Sequence, residues 1–462
     1  MRRSLLCSTA LLLAATALAG CGGRLANLFD FNRTTVQIQG ERIPIIVSDQ
    51  VIAADPLLQT AKMELPAPKR NMEWPTAGGG AANMTGNLTA DGPLNRAWSV
   101  YVGKGSDAAS QLTAPPIVAG GLIYVLDAES HVFALNALTG EAAWDKSLVP
   151  EDIANGGRRW FQLFGSRVNL AKGFGGGLAY DNGKIFATTG WGTVVALDAK
   201  SGNALWTVRT IVPVHSAPVV ADGRLYIITQ ENQAQALDIN DGRVLWEHRG
   251  TVESAGILNS ASVGVTGDTV IVPYTSGELF ALRAQNGTQA WTDTLSRSGN
   301  ITALTVINDI AGRPVIDRNM VFAVSHSGTM AAINLRSGSR AWTRNIAGIQ
   351  TPLVAGEYVF IVSTEGQVVC MNRGDGRVRW TSQLPAFLDP DDRDDPIVWS
   401  GPVMISNLLV LIGSNGMAQI LSPFTSQKLG ETAMPDGTFI APVIANGMMY
   451  VLTNEAELVA LR

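Results

Sequence analysis

Three cysteines in 462 residues are too few for a disulfide scaffold or a cysteine-rich zinc site. The four histidines, His131, His215, His248 and His326, stand apart, without the close pairing typical of metal ligands. Charged residues make up only 16% of the chain, and 34 Lys+Arg against 39 Asp+Glu leave a net charge of −5. No overall basicity therefore argues for nucleic acid. Past the N-terminus no apolar run reaches the roughly 18 residues of a membrane-spanning helix. The G-x-S-x-G elbow, the Walker loop and the H-E-x-x-H pair are missing. Gly173 to Gly177 is glycine-rich, but it falls on an expected first strand with no helix behind it, which is not the setting of a nucleotide loop. These absences point away from enzyme chemistry, and a hydrophobic content of 46% points away from disorder.

What is present begins with an address. Arg2 and Arg3 precede an apolar run from Leu5 to Ala19, the layout of an export signal. The run ends Leu18-Ala19-Gly20-Cys21, which resembles a bacterial lipoprotein cleavage box with Cys21 as the acylated first residue. An ordinary cut after Ala19 also fits Ala17-Leu18-Ala19. Gly22 is not the Asp that favours inner-membrane retention in lipoproteins of this type, so the expected location is the periplasmic face of the outer membrane. Residues 1–20 thus read as a lipoprotein signal peptide and 21–73 as a lipid-anchored tether. The tether holds one candidate strand, Ile43 to Val47, and an extended Leu65-Pro66-Ala67-Pro68 linker.

The rest, residues 74–462, is one unit repeated eight times. With Leu135 as origin, the frame recurs at Leu197, Leu237, Leu282, Ile333, Met371, Leu421 and Leu461. Nine residues later stands Trp144, and in later copies Trp206, Trp246, Trp291, Trp342 and Trp380. Five residues after the origin stands Gly140, then Gly202, Gly242, Gly287, Gly338 and Gly376. Eleven before it every copy is large and apolar, from Tyr124 and Phe186 to Tyr450. Nineteen before it stand Pro116, Pro218, Pro314, Pro352, Pro402 and Pro442.

Each offset has a physical reason. The glycine after the origin suits a hairpin turn needing φ > 0, and the proline suits the start of a strand, where no ladder donor is lost. Short alternating or apolar runs such as Leu225-Tyr226-Ile227-Ile228 read as strands. About four antiparallel strands in 40–50 residues is the period of a propeller blade. The eighth copy lacks its turn and tryptophan strand after Arg462, while Asp91 to Trp98 supplies an orphan copy of that strand. The fold expected is therefore an all-β, eight-bladed propeller of four-stranded antiparallel blades, its ring closed by the N-terminal strand.

Seven tryptophans, Trp98 included, sit on the frame and read as wedges between blades. Trp74, Trp160, Trp191 and Trp399 lie off it and are the better recognition candidates. Cys370 fills a slot held elsewhere by alanine and reads as a small buried residue. The segment Asn155 to Phe164, with Arg158, Arg159 and Trp160, is basic and aromatic, suited to an interface or to packing over its own blade. Asp389 to Pro396 is acidic, but without the glycine and glutamate of a calcium loop it reads as a solvated loop.

The repeat Ala-Leu-Asp-Ala-Lys-Ser-Gly-Asn-Ala-Leu-Trp, Ala196 to Trp206, resembles the pyrroloquinoline-quinone-type propeller repeat. Two functional classes share it. Quinoprotein dehydrogenases bind the quinone and calcium at the propeller axis, in many cases beside a disulfide of adjacent cysteines; this chain has no Cys-Cys pair. The second class is the BamB family, lipoprotein scaffolds of the outer-membrane β-barrel assembly machine. Lipobox, tether and eight-bladed ring together resemble that family. The resemblance implies a non-enzymatic role with no cofactor. It implies binding to the barrel-inserting subunit BamA and the rest of the Bam complex, and help for unfolded outer-membrane proteins. Other readings are a quinone-dependent dehydrogenase or another periplasmic binding propeller. The links between blades vary in length: 10 residues from Trp342 to Pro352, but 23 from Trp291 to Pro314. They mark the partner face, and by resemblance Glu253, Leu258 and Asp309, in the links 250–262 and 296–313, are expected contacts beside Arg158, Arg159 and Trp160.

The lipid on Cys21 is the expected anchor. Cys21→Ser should move the protein to the soluble periplasmic fraction, read by membrane fractionation; sedimentation with outer membranes in a strain lacking its partners would count against acylation.

Overall fold

Short apolar runs punctuated by Gly, Asn and Asp turns give strands almost throughout. The computed structural model describes residues 52–59, 61–154, 175–253, 256–257, 261–296 and 307–462. These belong to one compact unit, Gln50–Arg462. Apart from the helical turns Pro56–Gln59 and Glu151–Ala154, their regular structure is strand. It forms eight antiparallel blades of four strands. Blade 1 spans Ile117–Ser147, blade 2 Gly176–Arg209, blade 3 Val219–Arg249, blade 4 Gly264–Thr294, blade 5 Val315–Arg344, blade 6 Leu353–Gln383 and blade 7 Trp399–Ala433. Blade 8 draws three strands from Val443–Leu461 and its fourth, Arg96–Tyr101, from the N-terminal side. That strand pairs Trp98 with Ala460 and Tyr101 with Glu457, so the orphan tryptophan strand sits where the repeat frame demands.

Within a blade the frame positions meet across the sheet. Tyr226 on the second strand lies opposite Ala236 on the third, which lies opposite Trp246 on the fourth. The small middle residue lets the two rings lean together, with centroids 5.9 Å apart. The same tilted pair, 5.9–6.1 Å apart, recurs from Tyr124–Trp144 to Trp98–Tyr450. Cys370 is the middle residue of the Phe360–Trp380 pair, fully buried, and burial pushes its thiol pKa up. Blade 7 solves the geometry differently: Ile420 fills the slot and Gly430 stands where the tryptophan would be.

Between blades the tryptophans lock. Trp144 Nε1 donates to Ala199 O of blade 2 at 3.0 Å, and the ring covers the turn at Gly202. Gly202 has φ +70°, and a Cβ there would come 2.6 Å from the indole, so glycine is required both for the turn and for the ring. The indole bond repeats from Trp206 to Ile239 O, Trp246 to Ala284 O, Trp291 to Leu335 O, Trp342 to Arg373 O and Trp380 to Pro423 O. Trp98 of blade 8 covers Gly140 of blade 1 in the same way, but there Tyr450 Oη donates to the carbonyl, Ala137 O, at 3.0 Å. Seven of the eight interfaces thus carry the lock. The eighth, blade 7 against blade 8, cannot: blade 8 has no third-to-fourth turn for a ring to cover. There Asn95 and Arg462 bond to each other backbone to backbone at 2.8 Å.

The inner strands would expose ladder edges to the axis, and the chain covers them itself. Residues 71–91 run past the inner strands in order. Asn71 bonds to blade 8 through Ile444 O, Trp74 exchanges two backbone bonds with Val118 of blade 1, and Pro75 O accepts from Tyr180 of blade 2. Ala81 O accepts from Val265 of blade 4 and Ala82 O from Ile316 of blade 5. Asn87–Leu88 adds a parallel strand to Met404–Ile405 of blade 7, and Asp91 N reaches Gly447 O of blade 8. Ahead of this collar, residues 52–69 of the expected tether also run along the ring. Met63 packs into the core under blades 6 and 7, and Arg379 donates to Leu58 O and Ala61 O. Arg70 then grips Asp91 at 2.6 and 3.1 Å, beside Arg462.

Deleting residues 91–100 removes the closing strand, the Trp98 lock and the end of the collar. Calorimetry should show a lower melting temperature for the whole ring; an unchanged melt would refute the closure.

Candidate functional site

Strands alternate direction, so the links leaving each fourth strand share one face of the ring with the second-to-third turns. The third-to-fourth turns, with Lys200 and Asn240, lie on the other face. After blade 6, the acidic insertion folds as an exposed hairpin, Phe387–Asp389 paired with Asp394–Pro396, which accords with the solvated loop expected. The expected contacts distribute unevenly. Glu253 is exposed, and its neighbour Val252 is 62% exposed. In the link before it, Ile211 is fully exposed. The root of the Val252 link is firmly held: Asn232 Nδ2 donates to Thr251 O at 2.6 Å, and Thr251 N donates to Glu278 Oε2 at 2.8 Å. Apolar tips on braced roots are a preorganised contact surface. Sequence reasoning missed Ile211 and Val252; an apolar residue inside a link otherwise built of turn formers was the available signal.

Asp309 is a correction. Expected at the surface, it is 1% exposed. Its Oδ2 accepts Ile257 N–H at 2.8 Å and its carbonyl accepts His326 N–H at 2.9 Å, so it staples the link after blade 3 to the link after blade 4. It positions these loops from beneath. Burial lifts its carboxyl pKa to about 6, against the lowering effect of the Ile257 bond. Two recognition candidates are likewise structural: Trp74 (4% exposed) belongs to the collar, and Trp399 (3%), at the start of blade 7, packs in the core shared with blade 6, its Nε1 on Pro385 O. Trp191 is half-buried, its indole nitrogen covered and without an acceptor. Cys21, the strand at Ile43 to Val47, Arg158, Arg159, Trp160 and Leu258 lie outside the described residues.

By the resemblance of the repeat, the axis is where a quinone and calcium would be held. Between the collar and the entry ends of the inner strands lies a cavity of only about 50 Å³, lined by Trp74, Asn83, Arg313, Thr351, Gly401 and Ala441 among others. A drug-sized ligand site is typically about 300–1,000 Å³. Among the described residues no three His, Cys, Asp or Glu side chains converge to hold a metal ion. The residues at the axis do not fit the quinone. Among the described residues no helix is long and apolar enough to cross a membrane.

The family described as outer membrane protein assembly factor BamB matches residues 151–382, just over half of the chain. The β-propeller domain of glucose/ethanol/alcohol dehydrogenases matches residues 89–205. Among curated proteins, outer membrane protein assembly factor BamB of Nitrosomonas eutropha is 26% identical over 253 residues, 55% of either chain. That of Moranella endobia is 31% identical over 260 residues, 56% of this chain and 64% of its own. The chain thus spans between about half and two thirds of the length of these relatives. Of solved structures, BamB from Moraxella catarrhalis superposes with a TM-score of 0.65 at 19% identity, over 80% of this chain and all of that one. Quinohemoprotein alcohol dehydrogenase from Comamonas testosteroni gives 0.63 at 14% identity, over 85% and 81%. At such identities the structural likeness is one of fold.

A carboxyl whose pKa is higher folded than unfolded stabilises the fold at low pH and loses that contribution as pH rises through the folded value. For Asp309 the window runs from about 4 to about 6. Asp309→Asn keeps an acceptor for Ile257 N–H and has no charge to bury. At pH 7.5 it should therefore raise stability by about 1–3 kcal/mol, and near pH 4 match the parent, read by thermal melts across that range. A variant less stable than the parent at pH 7.5 would show that the charge is compensated.

Proposed function

The chain belongs to the outer membrane protein assembly factor BamB family, and we propose that it is a non-enzymatic propeller scaffold of the outer-membrane β-barrel assembly machine. Tethered through Cys21 at the periplasmic face of the outer membrane, it binds the BamA-type barrel-inserting subunit. It thereby aids the assembly and insertion of β-barrel proteins, with unfolded outer-membrane chains as further partners. The observation that carries this reading is the family match over residues 151–382, because that span contains the links at 210–217, 250–262 and 296–313. These links surround the exposed Ile211 and the Val252–Glu253 tip. Binding rests on the apolar tips for buried area and on Glu253 for charge pairing at the rim, where a charge sets register and on-rate. Leu258, Arg158, Arg159 and Trp160 are carried as further contacts on the same face, and Asp309 as the residue that holds two of the links in place.

The similarity of residues 89–205 to a dehydrogenase propeller domain raises a second reading, a quinone enzyme. The collar across the axis and the small cavity beneath it argue against it. Titration with pyrroloquinoline quinone and calcium separates the two, and saturable binding would favour the enzyme.

For the scaffold, affinity purification from detergent-solubilised envelope should recover the BamA-type subunit. The double variant Val252→Asp, Glu253→Lys should weaken recovery about tenfold, equivalent to about 1.4 kcal/mol, with unchanged circular dichroism. Lys200→Glu and Asn240→Arg, on the opposite face, should leave it unchanged; equal loss from these would place the partner on that face.

A further inference from the structure

The residue just before each first-strand proline position lies at the entry of the axis, and seven of its eight copies are small or uncharged. Gly177, Ala217, Ser262, Gly401 and Ala441 are examples; the eighth is Arg313. The size of its neighbours leaves the guanidinium room in the axial cavity, which it lines together with Trp74, Asn83 and Thr351. Its surroundings are poor in acceptors. Nη1 reaches Thr351 Oγ1 at 3.5 Å, Nε has no acceptor, and among the described residues no carboxylate lies within ion-pair distance. Removal from bulk water lowers its pKa to about 10, with no charged neighbour offsetting the effect, and leaves it cationic at neutral pH. Another residue lining the cavity carries an unpaired donor: Trp74 is 4% exposed, and its Nε1 is covered and has no acceptor among the described residues. Arg313 as a whole is half-buried, with its Nε covered, and a cation partly withdrawn from water without a counter-charge is less favourable than a paired one.

We propose that the axial cavity is a binding site for a small monovalent anion, a halide or the carboxylate group of a small acid, held between the Arg313 guanidinium and the Trp74 indole N–H. The site is built where the repeat symmetry is broken. Asn83 Nδ2 is already committed to Val263 O and Pro314 O, so it fixes the collar beside the cavity and leaves Arg313 and Trp74 as the lining residues with unpaired donors. The bound charge would pin blade 5, which carries Arg313, to the collar and to Thr351 at the entry of blade 6. The small volume excludes larger anions such as a quinone tricarboxylate.

Bromide is the probe, since it is seen by anomalous scattering. Crystals of the mature protein grown without halide and soaked in bromide should show an anomalous peak in the cavity, in contact with Arg313 and Trp74. In solution, exchanging gluconate for bromide or formate at constant ionic strength should raise the melting temperature of the parent. The rise should vanish in Arg313→Gln and shrink in Trp74→Phe, which keeps the ring and deletes the donor. Bromide against formate tells a spherical halide from a carboxylate as the preferred occupant. Arg313→Gln should be at least as stable as the parent in gluconate, because it removes an uncompensated charge; should it fail to fold, the shift in Trp74→Phe decides. No peak in the cavity, or an equal bromide shift in parent and variants, would overturn the proposal in favour of water alone.

Discussion

An indole ring laid over the turn of the next blade, its N–H on a carbonyl of that turn, is the contact on which this ring depends. It sets three requirements at once. The turn must have φ > 0 beneath the ring, which favours glycine, present at Gly140, Gly202, Gly242, Gly287, Gly338 and Gly376, while under Trp380 the position is Ser426 at φ +63°. The third strand must present a small residue, so that the indole meets the aromatic side chain two strands away. The fourth strand must carry the tryptophan just beyond a bulge in its ladder, as Trp206 follows the shift between Ala204 and Trp206. The one interface that lacks the lock lacks both halves together. Gly430 replaces the tryptophan in blade 7, and the two chain segments that build blade 8 meet where the turn would be.

A closed ring still has an axis, and eight inner strands leave polar backbone facing it. The collar of residues 71–91 bonds to six of the eight blades, which is why a segment with little repeat pattern is nonetheless ordered by hydrogen bonds. The same strap removes the room in which a quinone would sit in a related ring. Fold similarity to dehydrogenases and a non-enzymatic reading are therefore compatible: the blades are shared, and what occupies the axis differs.

Because the core lies within the blades and the locks join neighbouring blades directly, the links carry little of the stability and are free to vary in length. The contacts proposed for the partner accordingly lie there. The roots of the links are braced by Asn232, Glu278 and Asp309, while the tips present Ile211 and Val252.

The repeat frame alone determined the blade count, the strand order, the turn glycines, the wedge role of the tryptophans and the borrowed fourth strand of blade 8. Those features follow from local periodicity and from a contact repeated so often that its spacing is visible in one chain. The collar, the burial of Trp74 and Trp399, and the descent of Asp309 from surface to staple were decided only by the tertiary structure. Each rests on a single, non-repeated meeting of segments far apart in the chain, such as Asn83 with Val263 and Pro314. The setting of Arg313 is of the same kind: its place in the frame was readable, but that no carboxylate among the described residues pairs with it is a property of the other blades converging on one axis.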